Sequence, residues 1–203
     1  MTLAGLAVGK TKEQSELIAC TFEQNNYKLV GEGQDYVIQF VQKLKGSEHV
    51  LFLWEREENR DIIVQELFGE HKGASNMLFS VVPRNIPLVK NITYGDFYYT
   101  YKDKVLEKVG AKLSRAVSAN QGDKSTRSAF EDDTWLMARG FEDRILETEQ
   151  MLGRQIEPKH SLFCMYQMRN LADKTTLAKL ITTHGYVLLD APKFRLYKWE
   201  EDR

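Results

Sequence analysis

Hydrophobic residues along the chain fall into runs that do not alternate and stripes that repeat at helical spacing. His160 to Tyr166 (HSLFCMY) and Tyr186 to Leu189 (YVLL) show no alternation, so both faces of each strand are expected to be covered, as in a parallel sheet between helices. His49 to Trp54 (HVLFLW) reads as another buried strand, and Asn76 to Val82 (NMLFSVV), stopped by Pro83, as the next. Helical stripes appear at Val37, Phe40, Val41 and Leu44, at Val105, Leu106, Val109, Leu113 and Val117, and at Leu177, Leu180, Ile181 and His184, with Gly185 placed to cap the last. Arg139 to about Gly153 predicts a helix with Phe141, Ile145, Thr148 and Leu152 on its buried face. Glu149 lies at the edge of that face, where a carboxylate needs a partner or a water-lined cleft.

The remaining segments give weaker signals. Glu57 to Glu70 is a helix with a partial stripe at Ile62, Ile63, Glu66 and Phe68, and another helix is expected near Lys12 to Gln24. ITYGDFYYT, Ile92 to Thr100, is aromatic and β-branched and predicts an extended segment. Asn120 to Ala129 has the composition of a mobile loop, leading into the acidic stretch RSAFEDDTW. FRLYKW, beyond Pro192 and Lys193, alternates in part and predicts an antiparallel edge strand closing a hairpin.

This order predicts a single α/β domain: a mostly parallel sheet of about five or six strands flanked by helices, with a C-terminal antiparallel edge hairpin. The strand, helix, strand unit ending in YVLL should cross over right-handed. Residues 1–46 are expected to form a helical N-terminal arm packed on or near a main domain of residues 47–203. Strand and turn signals lie at NNYKLVGEG within the arm.

Composition narrows the function classes. At 203 residues with a formal net charge of -1, the chain has no basic excess to hold nucleic acid. The first 48 residues, with five Lys against six Asp or Glu, do not read as a DNA-binding arm. The longest apolar runs fall far short of the roughly 18 residues needed to span a bilayer, and MTLAGLAVGK lacks the pattern of a signal peptide. A cytoplasmic protein without a membrane segment is expected. Cys20 and Cys164 are too few for a disulfide framework and are expected to be reduced, Cys164 as a small buried hydrophobe.

Familiar catalytic patterns are missing. GLAVGKT, Gly5 to Thr11, has three residues between its glycines where a phosphate loop needs four, and no buried strand precedes it. Neither HxH, HxxxH, CxxC nor GxSxG occurs, so no metal, cofactor or nucleophile site is expected. Ligands of open α/β sheets bind beyond the carboxyl ends of the strands. That rule selects Trp54 and Glu55, Arg84, Glu131 and Asp132, Trp135, and Tyr166 with Gln167 as pocket candidates. Asp133 extends the acidic group, whose bland reading is helix capping. His49, His160 and His184 belong to the opposite rim, where capping or packing is expected, and His71 reads as a solvated helix-end residue.

Four motifs in order, FEDDTW, the glutamate in ILETEQ, LFCMY, and the LITTHGYVLLD ending, resemble the MEDS family, the methanogen and methylotroph sensory domain. The resemblance covers roughly Ser47 to Asp190. It implies a RecA- or KaiC-like sheet with degraded nucleotide motifs, sensing small hydrocarbon derivatives, and it falls on His49, Glu131, Trp135, Glu149, Cys164, Tyr166 and His184. The acidic loop here lacks the glycine of the family form, and no kinase or DNA-binding module accompanies it. The expectation is a non-catalytic sensory domain, binding a small apolar or C1-type metabolite or a signalling protein, with homo-oligomers as a further partner class. The alternatives are a degenerate ATPase using Glu131 or Glu55 as base, and a transcriptional regulator.

Overall fold

Every residue of the central strand β2 (His49–Trp54) is buried, and its neighbour β6 (His160–Gln167) is buried along its whole length as well. The two pair in parallel from His49 opposite Leu162 to Trp54 opposite Gln167. The computed structural model describes residues 3–69, 76–119, 125–154, 156, 158–171 and 173–201; His71 and most of the loop after Asn120 lie outside them.

Around this pair stand β1 (Tyr27–Glu32), β3 (Met77–Ser80), β4 (Lys90–Thr93), β5 (Thr126–Phe130), β7 (Tyr186–Leu189) and β8 (Arg195–Trp199). They form one eight-stranded sheet in the order β1-β8-β7-β2-β6-β5-β3-β4. The six strands from β7 to β4 run parallel, whereas β8 is antiparallel to both β7 and β1. The result is a single α/β unit with a mostly parallel sheet and an antiparallel edge, as the sequence pattern predicts.

Because side chains alternate across a strand, the buried runs feed two cores. Val50, Phe52, Trp54, Phe163 and Met165 pack beneath α2 (Gln34–Gln42) and α3 (Glu57–Phe68). Leu51, Leu53, Leu162, Cys164 and Tyr166 face the other way. That second core is covered by α1 (Leu3–Gln24), α4 (Tyr94–Tyr101), α5 (Val105–Ala119), α6 (Thr134–Leu136), α7 (Glu142–Leu152) and α8 (Lys174–Thr183).

Several expectations are corrected. The sheet has eight strands rather than five or six, because TRSAF, expected as loop, is β5, and because the arm's own strand joins the sheet. ITYGDFYYT is not extended: β4 ends at Thr93, whose hydroxyl accepts from the Asp96 N–H, and α4 begins at Tyr94. A capping threonine ahead of an acidic first turn outweighs the β-propensity of tyrosine. The helix expected from Arg139 is broken at Gly140, whose φ of 84° belongs to the left-handed region that glycine tolerates. On α7 the buried stripe is Ile145, Leu146 and Glu149, while Thr148 is exposed. On α3 it is Ile63, Val64, Leu67 and Phe68. His184, rather than Gly185, caps α8. The glycine motif of residues 5–11 lies within α1.

Arg127 explains why a polar segment makes an interior strand. Its side chain, 2% exposed, donates to the carbonyls of Leu67 at 2.7 Å, Gln42 at 2.8 Å and Leu44 at 3.2 Å. These carbonyls belong to the last turns of α3 and α2 and the residue groups just after, where a cation also meets the negative ends of the helix dipoles. Burial lowers the guanidinium to about 10 against the opposing charge of Glu48, so it remains charged at neutral pH. Tyr27 ties the arm on the other face, its hydroxyl lying 2.5 Å from the carbonyls of both Ile181 and His184. Replacing Arg127 by Met keeps much of the apolar stem but leaves the three carbonyls without their donor. Urea unfolding of Arg127→Met is expected to show a loss of about 3–5 kcal/mol; a loss below about 1 kcal/mol would mean that water replaces the arginine.

Candidate functional site

The carboxyl ends of the parallel strands carry many of the residues predicted to line a pocket, but these groups engage one another. Trp54 is 1% exposed and lies under the Arg60 guanidinium, 4.8 Å from the ring centroid. Glu131, also buried, is paired directly with Arg84, accepts from the Val81 N–H at 3.2 Å, and lies 3.5 Å from Arg60 Nε. Asp61 holds the other side of both arginines, at 2.9 Å and 2.8 Å. Asp132 accepts from the Thr134 hydroxyl and amide, and burial raises its carboxyl. Trp135 is half-buried, stacked on Tyr94 at 5.8 Å with the Arg139 guanidinium 3.3 Å from its ring centroid. Gln167 accepts from Asn170 at 2.7 Å. The predicted rim residues therefore make several local pairings rather than one shared pocket.

Glu55 stands apart beside an open groove of about 410 Å³ between α1 and the β7–β8 turn. Burial, and then the charge of Asp190, raises its carboxyl. Asp190 itself accepts from the N–H groups of Glu55 at 2.9 Å and Arg56 at 3.0 Å and from Asn59 at 3.2 Å. A side-chain carboxylate thus occupies the amides leading into α3, where an anionic ligand of an α/β sheet would otherwise be held.

Tyr166 points away from this rim, into the second core, where it joins His49, Glu149, Cys164 and His184, whereas Glu131 and Trp135 stay at the rim. Its hydroxyl donates to Glu149 Oε1 at 2.8 Å. Glu149 Oε2 lies 3.1 Å from His49 Nε2 and 3.4 Å from His184 Nε2. Cys164 Sγ is 3.5 Å from His49 Nε2, and the two imidazoles overlap with centroids 3.9 Å apart. The topology makes this meeting: His49 opens β2, Cys164 and Tyr166 alternate onto the same face of β6, His184 ends α8, and α7 lays Glu149 across them.

The protonation pattern follows from partners. His49 Nδ1 lies 2.7 Å from the Gly153 carbonyl, and His184 Nδ1 lies 2.7 Å from the Leu180 carbonyl. A carbonyl only accepts, so both imidazoles carry hydrogen on Nδ1 and turn Nε2 towards Glu149. Burial, and then the neighbouring His49, lower His184 to about 3. Burial opposes the charge of Glu149, but His184, His49 and the Tyr166 hydroxyl outweigh it and hold the carboxyl at about 2. Asp133, fully enclosed nearby and receiving the Tyr94 hydroxyl at 2.9 Å, is raised by burial and by the charge of Glu149. The two acids are thus pushed in opposite directions, Asp133 towards its neutral form and Glu149 towards its ionised form.

Above this cluster, α5 and α7 flank a partly open cavity of about 170 Å³ against the sheet. Its walls are Leu106, Val109, Leu113, Phe130, Ile145 and Leu162, and its polar floor is Asp133, Glu149 and Cys164. Sequence reasoning placed these apolar residues in helical and strand stripes but could not show that they stop short of filling the space. It also missed Asp190 and Tyr94 as partners, since each acts across more than thirty residues.

His160, a third imidazole at this rim, lies 3.0 Å from the Ser128 hydroxyl. Burial first, and then His49, lower it from 6.5 to about 4. The folded state thus resists a proton that the unfolded chain accepts. Its contribution is fully present above pH 6.5 and is lost as the pH falls towards 4, by about 3 kcal/mol. In His160→Gln, whose amide can still reach Ser128, denaturant unfolding between pH 6.5 and 4 should show a shallower loss of stability than in the parent; an unchanged slope would assign the acid sensitivity to other groups.

No family model matches the chain and no curated protein matches it. Among solved structures it is similar to a protein of Pyrococcus horikoshii OT3 described as a structural study, at 9% identity and a TM-score of 0.48, over 76% of this chain and 87% of that one. Among the described residues no helix is long and apolar enough to cross a membrane.

Proposed function

We propose that the protein is a non-catalytic sensory domain that takes a small, mainly apolar molecule into the cavity between α5 and α7. The observation that carries this reading is the cavity's make-up: aliphatic and aromatic walls over a floor of Asp133, Glu149 and Cys164, with the Asp133 carboxyl pushed up and the Glu149 carboxyl pushed down. A dry apolar cavity of ~150 Å³ holds a molecule the size of benzene, so this one suits a short-chain or C1-type metabolite whose single polar atom reaches the floor. The MEDS resemblance supports the same reading, because four of its residues, Glu149, Cys164, His49 and His184, meet at or just below that floor. Helix α5 forms the outer wall, and a signalling partner or a second copy of the chain would read its position.

The nucleotide-binding alternative draws less support. Asp190 occupies the amides before α3, and the first turn of that helix carries Glu57 and Glu58, which repel phosphate.

A ligand at about 100 times its Kd adds roughly 2.7 kcal/mol to the native state, a rise in Tm of about 5 °C or more for a chain of this size. A panel of short-chain and C1 compounds, with ATP and magnesium as comparison, is expected to give such a shift for an apolar member alone. Gly110 lines the cavity, and a Cβ there meets nothing within 4 Å. Gly110→Leu should therefore raise the Tm of the free protein through cavity filling and helix propensity and abolish the ligand shift. A shift with ATP that survives Gly110→Leu, or none from any apolar compound, would reject the reading.

A further inference from the structure

From the convergence of His49, His184, Glu149 and Cys164 we infer a binding site for one divalent metal ion of the zinc class, buried beneath the sheet. The inference does not require the cavity to bind an organic molecule. One ligand atom from each of the four residues lies within 4.8 Å of all the others, and all four residues are buried. Three of the six edges of the group are 3.1 Å, 3.4 Å and 3.5 Å, and the other three lie within 4.8 Å. Zinc bonds of ~2.0–2.1 Å to nitrogen or oxygen and ~2.3 Å to sulfur give tetrahedral edges of ~3.3–3.6 Å.

Hydrogen-bond accounting gives an independent reason. Both histidines spend their Nδ1 hydrogens on backbone carbonyls, and the Tyr166 hydroxyl is spent on Glu149 Oε1. Glu149 Oε2 and His184 Nε2 are left without a hydrogen-bond partner among the described residues. His184 Nε2 and a carboxylate oxygen thus lie away from water with His49 Nε2 and the Cys164 sulfur against them, and a cation placed among the four would satisfy them together. The outer contacts also resemble those of metal-bound histidine, whose second nitrogen commonly donates to a backbone carbonyl that fixes the ring.

The donor set selects the ion. A thiolate and two imidazoles suit zinc, or cobalt in its place, whereas magnesium and calcium prefer oxygen ligands. On binding, Cys164 loses its thiol proton to solvent, and the thiolate and the Glu149 carboxylate together balance the two positive charges. Four protein ligands complete a tetrahedron, which is the pattern of a structural site. The ion would fasten β2, β6, α7 and the end of α8 to one point. No local spacing in the sequence could have signalled it, since each ligand comes from a different element.

The test uses untagged full-length protein. After gel filtration in metal-free buffer, elemental analysis is expected to find one zinc per chain. Cobalt added to chelator-stripped protein is expected to give the intense visible bands of tetrahedral cobalt and a near-ultraviolet thiolate charge-transfer band, with the latter lost in Cys164→Ser. Tyr166→Phe, which removes only the hydroxyl held by Glu149, should weaken zinc binding by ~10–100-fold. No retained metal and a featureless cobalt titration would overturn the inference, leaving His49 and Glu149 as an ion pair around a single proton. Cobalt bound without the thiolate band would equally overturn the four-ligand set, and that reading needs only the parent protein.

Discussion

The structure depends on the burial of β2 and β6 on both faces. Two adjacent parallel strands with no solvent-exposed side leave each side chain only two destinations, and each destination must be filled by helices. The run from Val50 to Trp54 meets this demand with apolar side chains alone, alternating between the α2–α3 core and the larger core opposite. His49, Cys164 and Tyr166 fall on the same strands and are just as buried. They must therefore find partners inside the protein, and α7 and α8 supply Glu149 and His184 at the place where that need arises.

The same demand explains the part played by the N-terminal segment. β2 and β6 lie deep in the sheet, but β7 and β8 would leave an open edge, and β1 pairs along β8 to move that edge outward. Arg127 and Tyr27 then fix the helices around this segment by satisfying carbonyls that helix ends leave without donors. Residues 1–46 thus share the sheet and both cores with the rest of the chain.

At the carboxyl rim, where α/β sheets commonly bind ligands, internal charges meet internal charges. Arg84 and Arg60 neutralise Glu131, and Asp190 takes the amides at the head of α3. The more inviting space lies between α5 and α7, where apolar walls stand over Asp133, Glu149 and Cys164. The rim is closed by its own ion pairs, and the proposed small-molecule site rests instead on the unfilled space between the two helices.

Much of this was legible along the chain. Unbroken apolar runs identified β2, β6 and β7 because strands covered on both sides cannot afford alternation, and the 3.6-residue stripes located α2, α5 and α8 because helices facing a sheet need one apolar side. The sequence also marked Glu149 as a carboxylate needing a partner, since it interrupts such a stripe. The identity of that partner was decided by tertiary structure, because His49 and His184 lie about a hundred and about thirty-five residues away and meet it only through strand order. β5 was hidden for the same reason: TRSAF has a polar composition, and it becomes an interior strand because Arg127 finds carbonyls of α2 and α3 and Ser128 finds His160. Periodicity records which side chains must leave water, but only the packed structure decides what each one meets there.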